Sequence, residues 1–125
     1  MSQIILVVDD DRSIVHTLKS ILLKNGFEVL TANNGEEALK LIKTNRPDMV
    51  ITDLMMPVMD GWYLSMNVRR DPRFKKTPII VISGILNPEA VQQDPEASTF
   101  YVPKPFAATA LMEKIKEIFI SRRNP

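Results

Sequence analysis

This chain of 125 residues has the length of one domain, and a chain of that length buries about two thirds of its unfolded surface without disulfides or metals. Hydrophobic residues make up 45% of it and charged residues 25%, which excludes disorder as its main state. The net charge of +1 excludes a general attraction to nucleic acid or membranes, and the absence of cysteine excludes disulfides and Cys-ligated zinc. The longest apolar run, residues 4–8, is too short to cross a membrane. We therefore expect a single domain over residues 1–125, without an effector domain, in a soluble cytoplasmic protein.

The predicted strands are short apolar runs rich in β-branched residues, and each gap between them leaves room for a helix. They cover residues 4–8, 27–31, 49–52, 79–82 and 100–102. The first, third and fourth runs are apolar at almost every position, as in strands that helices cover on both faces. This alternation predicts an α/β fold with a doubly wound parallel sheet, in which these three strands are central.

The predicted helices fill the gaps. Apolar residues at helical spacing predict a first helix through Ile14 and Leu18 that ends near Gly26, and a last helix from Leu111 to Phe119. The second and third helices are expected over about residues 35–44 and 61–70. Prolines within residues 87–98 limit any fourth helix there to a short one.

Polar side chains follow four of the five predicted strands at the point where each strand ends. Because the carboxyl ends of parallel strands meet at one edge of a sheet, we expect them to lie together: Asp9, Asp10, Asp11, Asp53, Ser83, Gly84, Lys104 and Pro105. Clustered carboxylates repel one another unless a cation neutralises them, and oxygen ligands without His or Cys favour Mg²⁺. Asp9, Asp10 and Asp53 could hold this ion with a backbone carbonyl, and Lys104 would face the charge of a phosphate.

Four segments together resemble the receiver domain of response regulators: Val8-Asp9-Asp10-Asp11, the run DLMMPVMDG over residues 53–61, Ser83-Gly84, and Lys104-Pro105-Phe106. The resemblance covers essentially the whole chain. It implies a flavodoxin-like five-stranded parallel sheet of order 2-1-3-4-5, with helices on both faces. The chain departs from the family at residues 95–99, where Pro-Glu-Ala-Ser-Thr replaces a common Ala-Gly-Ala stretch.

The resemblance also implies roles for single residues. Asp53 would be the phosphoacceptor, and Asp9 and Asp10 would hold Mg²⁺ together with the backbone carbonyl of Met55. Ser83 and Lys104 would contact the phosphoryl group, and Tyr101 would be an aromatic switch.

The resemblance further implies a phosphorylation-dependent signalling switch. A sensor histidine kinase or a histidine phosphotransfer protein would supply the phosphoryl group from a phospho-histidine. A downstream protein target would read the surface around the fourth helix, the fifth strand and the last helix. The chain would be no enzyme beyond its own phosphorylation and dephosphorylation, and we expect no direct contact with nucleic acid or membrane.

Parts of the sequence also resemble, or invite comparison with, two other classes of protein. Asp9-x-Asp11-x-Ser13 also resembles the start of a haloacid-dehalogenase-like phosphatase, in which Asp9 would be the nucleophile. That family needs a second acidic pair late in the chain, where only Asp94 and Glu96 are available. A dinucleotide-binding module would require a glycine-rich turn after the first strand, where this chain has three carboxylates.

Several residues have ordinary explanations. His16 begins a segment that resembles a histidine phosphotransfer motif, but it lies outside the apolar stripe of the first helix and is expected to be solvated. A solvated face is also expected of the basic residues Arg69, Arg70, Arg73, Lys75 and Lys76. Filling of gaps in the core is expected of the methionines Met55, Met56 and Met59.

Overall fold

In the described part of the chain, strands and helices follow one another in the predicted order. The computed structural model describes residues 3–56, 59–84 and 98–123, without the side chain of the last of these. The strands are β1 (Ile4–Val8), β2 (Glu28–Ala32), β3 (Met49–Asp53), β4 (Ile79–Ser83) and β5 (Thr99–Pro103). The helices are α1 (Arg12–Lys24), α2 (Gly35–Asn45), α3 (Gly61–Arg70) and the C-terminal α4 (Ala108–Arg123), with a 3-10 turn over Pro72–Phe74.

All five strands pair in parallel, and their order is β2-β1-β3-β4-β5. The predicted fold class and strand order are therefore confirmed. The second strand begins one residue later than predicted, because the Phe27 N–H donates to the Leu22 carbonyl at 3.1 Å and belongs to the end of α1. The short fourth helix is predicted within residues 87–98, and residues 87–97 lie outside the described part of the chain.

Alternate residues of the central strands pack into two cores, one on each face of the sheet. Ile5, Val7 and Ile51 join the core beneath α1 and α4, whereas Leu6 and Val50 join the core beneath α2 and α3. Burial on both faces explains why the sequences of β1, β3 and β4 are apolar at nearly every position. Helices on both faces of the sheet are therefore confirmed.

Polar side chains fix where three helices begin, and these starts lie next to the carboxyl edge of the sheet. Asp11, Asn34 and Asp60 cap α1, α2 and α3, and each accepts a backbone N–H of the following turn. His16 is exposed on α1, as expected. No helix among residues 3–56, 59–84 and 98–123 has the length and apolar character that a membrane crossing requires.

The basic residues at the end of α3 include one that is not solvated. Arg69 is partly buried, and its guanidinium donates to the carbonyls of Thr77 at 2.8 Å and Ser98 at 2.7 Å, and to the Thr99 hydroxyl at 3.0 Å. Burial, reinforced by the charge of Arg122, lowers the pKa of Arg69 from 12.5 to about 10. The prediction of a solvated face is therefore wrong for Arg69, because main-chain carbonyls take the place of water.

Candidate functional site

Three carboxylates meet at the carboxyl edge of the sheet. Asp9 directly follows β1 and Asp53 ends the neighbouring strand β3, where Val8 pairs with Thr52. One carboxylate oxygen from each of Asp9, Asp10 and Asp53 lies within 4.8 Å of the others. Asp9 is buried with 3% exposure, Asp53 is half-buried and Asp10 is exposed. An open acidic cluster of this kind can receive a cation from solvent.

The consecutive aspartates after β1 have different local roles. The Asp9 carboxylate accepts the Asp11 N–H at 2.9 Å, which holds it beneath the start of α1. Asp11 is exposed, and its carboxylate accepts the N–H and the hydroxyl of Ser13 at 2.9 and 2.7 Å. Asp11 is therefore a helix cap. This leaves Asp9 and Asp10 to face Asp53.

The negative charge of Asp9 is disfavoured at its position in the cluster. Burial, the largest cause, raises the pKa of Asp9 from 3.8 to about 6. The Asp11 N–H and the Lys104 charge lower this pKa, whereas the charges of Asp53 and Asp10 raise it. A divalent cation would remove this penalty, and carboxylate oxygens suit Mg²⁺.

One lysine reaches the cluster from the other side. The Lys104 Nζ lies 3.2 Å from Asp53 Oδ1 and 3.7 Å from Asp9 Oδ2. Its backbone N–H donates to the Ser83 carbonyl at 3.0 Å, directly after β5, and the Lys104-Pro105 bond is cis. We call Asp9, Asp10, Asp53 and Lys104 the acidic site. Its members come from three separate parts of the chain.

Ser83 and Tyr101 lie on the two strands beyond Asp53. Ser83 ends β4 and is buried. The residue before it, Ile82, pairs with Asp53 on β3. Tyr101 is half-buried on β5, pairs with Val81, and packs on the same face of the sheet as α3. The order β3-β4-β5 therefore sets Asp53, Ser83 and Tyr101 on successive strands.

The side chain of Met55, in the loop after β3, does not pack in the core as the sequence predicts. The side chain of Met55 is 60% exposed and fills no gap in the core, whereas Met56 and Met59 pack against the core beneath α2 and α3. The prediction of a gap-filling role is thus wrong for Met55, since the chain leaves the sheet at the end of β3. The coordination role of its carbonyl stays a prediction.

Two residues of α3 contribute to the site although the sequence does not predict them as site residues. A Cβ on Gly61 would lie 2.5 Å from the Asp53 carbonyl oxygen, so only glycine allows α3 to start this close to β3. Next to it, the ring of Trp62 lies 5.3 Å from the ring of Tyr101, centroid to centroid. The Asp60-Gly61 pair was an available signal for the close approach, because Asp caps a helix and glycine leaves space.

Comparison with known proteins agrees with this geometry. Residues 5–116 match the family model described as the response regulator receiver domain. Response regulator MprA of a Mycobacterium species (strain KMS) is 38% identical over 122 residues, covering 97% of this chain and 52% of the relative. The alkaline phosphatase synthesis transcriptional regulatory protein PhoP of Bacillus subtilis is 34% identical, covering 94% of this chain and 49% of that protein. The chain thus spans about half the length of these curated relatives.

Solved structures agree with the sequence comparison. The chemotaxis response regulator CheY4 of Vibrio cholerae superposes with a TM-score of 0.85 at 32% identity, covering 94% of this chain and 99% of that one. The receiver domain of a histidine kinase from Syntrophus aciditrophicus gives a TM-score of 0.87 at 27% identity. Both similarities extend over nearly all of each chain.

Proposed function

The chain belongs to the family of response-regulator receiver domains, and we propose that Asp53 is its phosphoacceptor and that a phospho-histidine supplies the phosphoryl group. The observation that carries this proposal is the acidic site itself. Asp53 stands at a strand end beside two further carboxylates, with Lys104 at 3.2 Å. The phosphatase alternative, with Asp9 as nucleophile, is not supported, because the matching family is that of receivers and Asp11 caps α1.

In the proposed transfer, an Asp53 carboxylate oxygen forms a bond to phosphorus while the bond from phosphorus to the donor imidazole nitrogen breaks. The electron pair of the broken bond stays on the imidazole. Charge spreads over the phosphoryl oxygens in such a transfer, so its barrier falls when fixed positive groups face them. Lys104 is the positive side chain already at this position.

Asp9 and Asp10, with Asp53 and the Met55 carbonyl, would hold Mg²⁺ in this proposal. The residues fit the ion, since three carboxylate oxygens lie within 4.8 Å of one another and the pKa of buried Asp9 is raised. When bound, Mg²⁺ supplies charge neutralisation for Asp53 and for the incoming phosphoryl oxygens. Asp10, being exposed, would complete the site from the solvent side.

The proposed response to phosphorylation involves one residue of β4 and one of β5. The Ser83 hydroxyl would donate to a phosphoryl oxygen, and Tyr101 on the next strand would change position with it. A phosphoryl group shifts such an equilibrium only by contacts that one state has and the other lacks. A protein target would read the surface around β5, α4 and the fourth helix that the sequence predicts.

We also propose that the chain acts in the cytoplasm with a sensor histidine kinase or a histidine phosphotransfer protein. It would be a signalling switch and no enzyme toward separate substrates, with no direct contact to nucleic acid or membrane. The relatives are about twice as long, and one of them is named a transcriptional regulatory protein. The activity of a longer protein containing this receiver would therefore depend on what is joined to it.

The test is phosphorylation by acetyl phosphate with Mg²⁺, followed by mass spectrometry of the labelled peptide. We expect label on Asp53 in the wild type, none in Asp53→Asn, and wild-type label in the control Glu117→Gln, which alters an exposed carboxylate on α4. Label on Asp9 in both wild type and Asp53→Asn would contradict the proposal and support the phosphatase.

A further inference from the structure

The first turn of α3 touches both the phosphoacceptor strand and Tyr101. Gly61 starts α3 against the backbone of Asp53, and its N–H donates to the Leu54 carbonyl at 2.8 Å. Trp62, the next residue, meets the ring of Tyr101 at 5.3 Å with an interplanar angle of 44°. One pair of neighbouring residues thus connects the end of β3 with the middle of β5.

A second contact fixes the other end of α3 to the same strand. Arg69 donates to the carbonyl of Ser98 and to the hydroxyl of Thr99, where β5 begins. Trp62 and Arg69 are seven residues apart, which is about two helical turns and the same helix face. With α3 held at both ends, Trp62 has a defined position against Tyr101.

We propose that Trp62 is a positioning residue for Tyr101, holding its ring in the tilted contact seen here and so opposing the change of Tyr101 that accompanies phosphorylation. This inference rests on the proposed function, because it requires Tyr101 to respond to the phosphoryl group. An offset or tilted aromatic pair at this separation contributes beyond simple burial, so breaking it should change a coupled equilibrium about two- to tenfold. Trp62 is 43% exposed, so its replacement does not open the core.

The experiment is a double-mutant cycle read by the affinity for beryllofluoride with Mg²⁺, a phosphoryl mimic whose bound form gives its own ¹⁹F NMR signal. We expect Trp62→Leu to bind beryllofluoride about two- to tenfold more tightly than the wild type, because the variant loses the ring contact that holds Tyr101 in its present position. In the Tyr101→Leu background, Trp62→Leu should change the affinity by less than about twofold.

Two control variants distinguish the loss of the contact between Trp62 and Tyr101 from a folding defect. Trp62→Phe retains an aromatic ring and should restore the wild-type affinity at least in part. Tyr63→Leu replaces the adjacent exposed aromatic residue and should leave the affinity unchanged. A urea-unfolding cycle of the same four proteins without beryllofluoride checks that each is folded.

The outcomes separate the two proposals. An unchanged or weakened affinity in Trp62→Leu, or an equal change in the presence and absence of Tyr101, overturns the positioning role. Coupling seen in unfolding but absent from beryllofluoride affinity also overturns it, because the contact is then only structural. A wild type without a bound signal, or with the same signal in Asp53→Asn, contradicts the proposed function before any Trp62 variant is compared.

Discussion

Like charges lie close together at both edges of the sheet, aspartates at the carboxyl edge and arginines at the amino edge of β5. The two groups differ in the partners that surround them. At the carboxyl edge, Asp9 has one backbone N–H and a lysine at 3.7 Å, and its pKa is raised to about 6. At the amino edge of β5, Arg69 and Arg122 converge on Ser98, and Arg69 donates to several fixed main-chain carbonyls. Carbonyl and hydroxyl oxygens of the protein accept hydrogen bonds from both arginines, whereas the carboxylates of the acidic site form a group that suits a cation. The arginine contacts are therefore structural, and the acidic site is suited to function.

The largest expected effect comes from Arg69→Met, which would leave the carbonyls of Thr77 and Ser98 without their charged donor. Hydrogen bonds to charged groups contribute about 1.5–3 kcal/mol each, and part of this is recovered by water, so we expect a loss of about 2–4 kcal/mol of unfolding free energy. Urea unfolding followed by circular dichroism measures it. Arg70→Met, on the neighbouring exposed position, should change it by less than about 0.5 kcal/mol. Equal small losses in both variants would show that the carbonyls do not depend on Arg69.

Removing a charge from the acidic site should raise the unfolding free energy, whereas removing the charge of Arg69 should lower it. Because burial penalises the Asp9 carboxylate, its contribution to stability falls as the pH rises from 3.8 through about 6, when no metal is bound. We therefore expect Asp9→Asn to raise the unfolding free energy at pH 8 in EDTA by about 1–2 kcal/mol, and to abolish the stabilisation of the wild type by Mg²⁺. Asp10→Asn, at the exposed position, should lose the Mg²⁺ effect without a comparable gain. A destabilised Asp9→Asn would contradict this account of Asp9.

Protons and Mg²⁺ should compete at the same carboxylate. With the pKa of Asp9 at about 6, its protonation should weaken Mg²⁺ binding about tenfold between pH 7.5 and 5, with little change above pH 7. Titration of Mg²⁺ followed by the fluorescence of Trp62, the single tryptophan, measures the affinity at each pH. The control is His16→Gln, which removes the only histidine and should keep the same profile. A constant affinity across this range would exclude Asp9 as a ligand.

The acidic site and the contacts of Arg69 also differ in how well the sequence predicts them. Asp9, Asp53 and Lys104 could be brought together from the sequence, because strand alternation fixes which residues stand at the carboxyl edge. The burial of Arg69 could not be predicted, since most of its acceptors are main-chain carbonyls, which every residue carries. Likewise, the contact of Trp62 with Tyr101 depends on how α3 lies across β4 and β5, and helix periodicity does not specify that position.

The smallest expected effect belongs to Arg122→Gln and tests whether the two arginines are equally important. Arg122 donates to the Ser98 hydroxyl, but its charge also lowers the pKa of Arg69, so the variant loses one hydrogen bond and relieves one repulsion. These changes oppose each other, and we expect a net change in unfolding free energy within about 0.5 kcal/mol. Added salt screens the repulsion in the wild type, so salt should stabilise the wild type slightly more than the variant in urea unfolding. A loss as large as that of Arg69→Met would mean that the side-chain bond of Arg122, and not the main-chain acceptors of Arg69, holds the amino edge of β5.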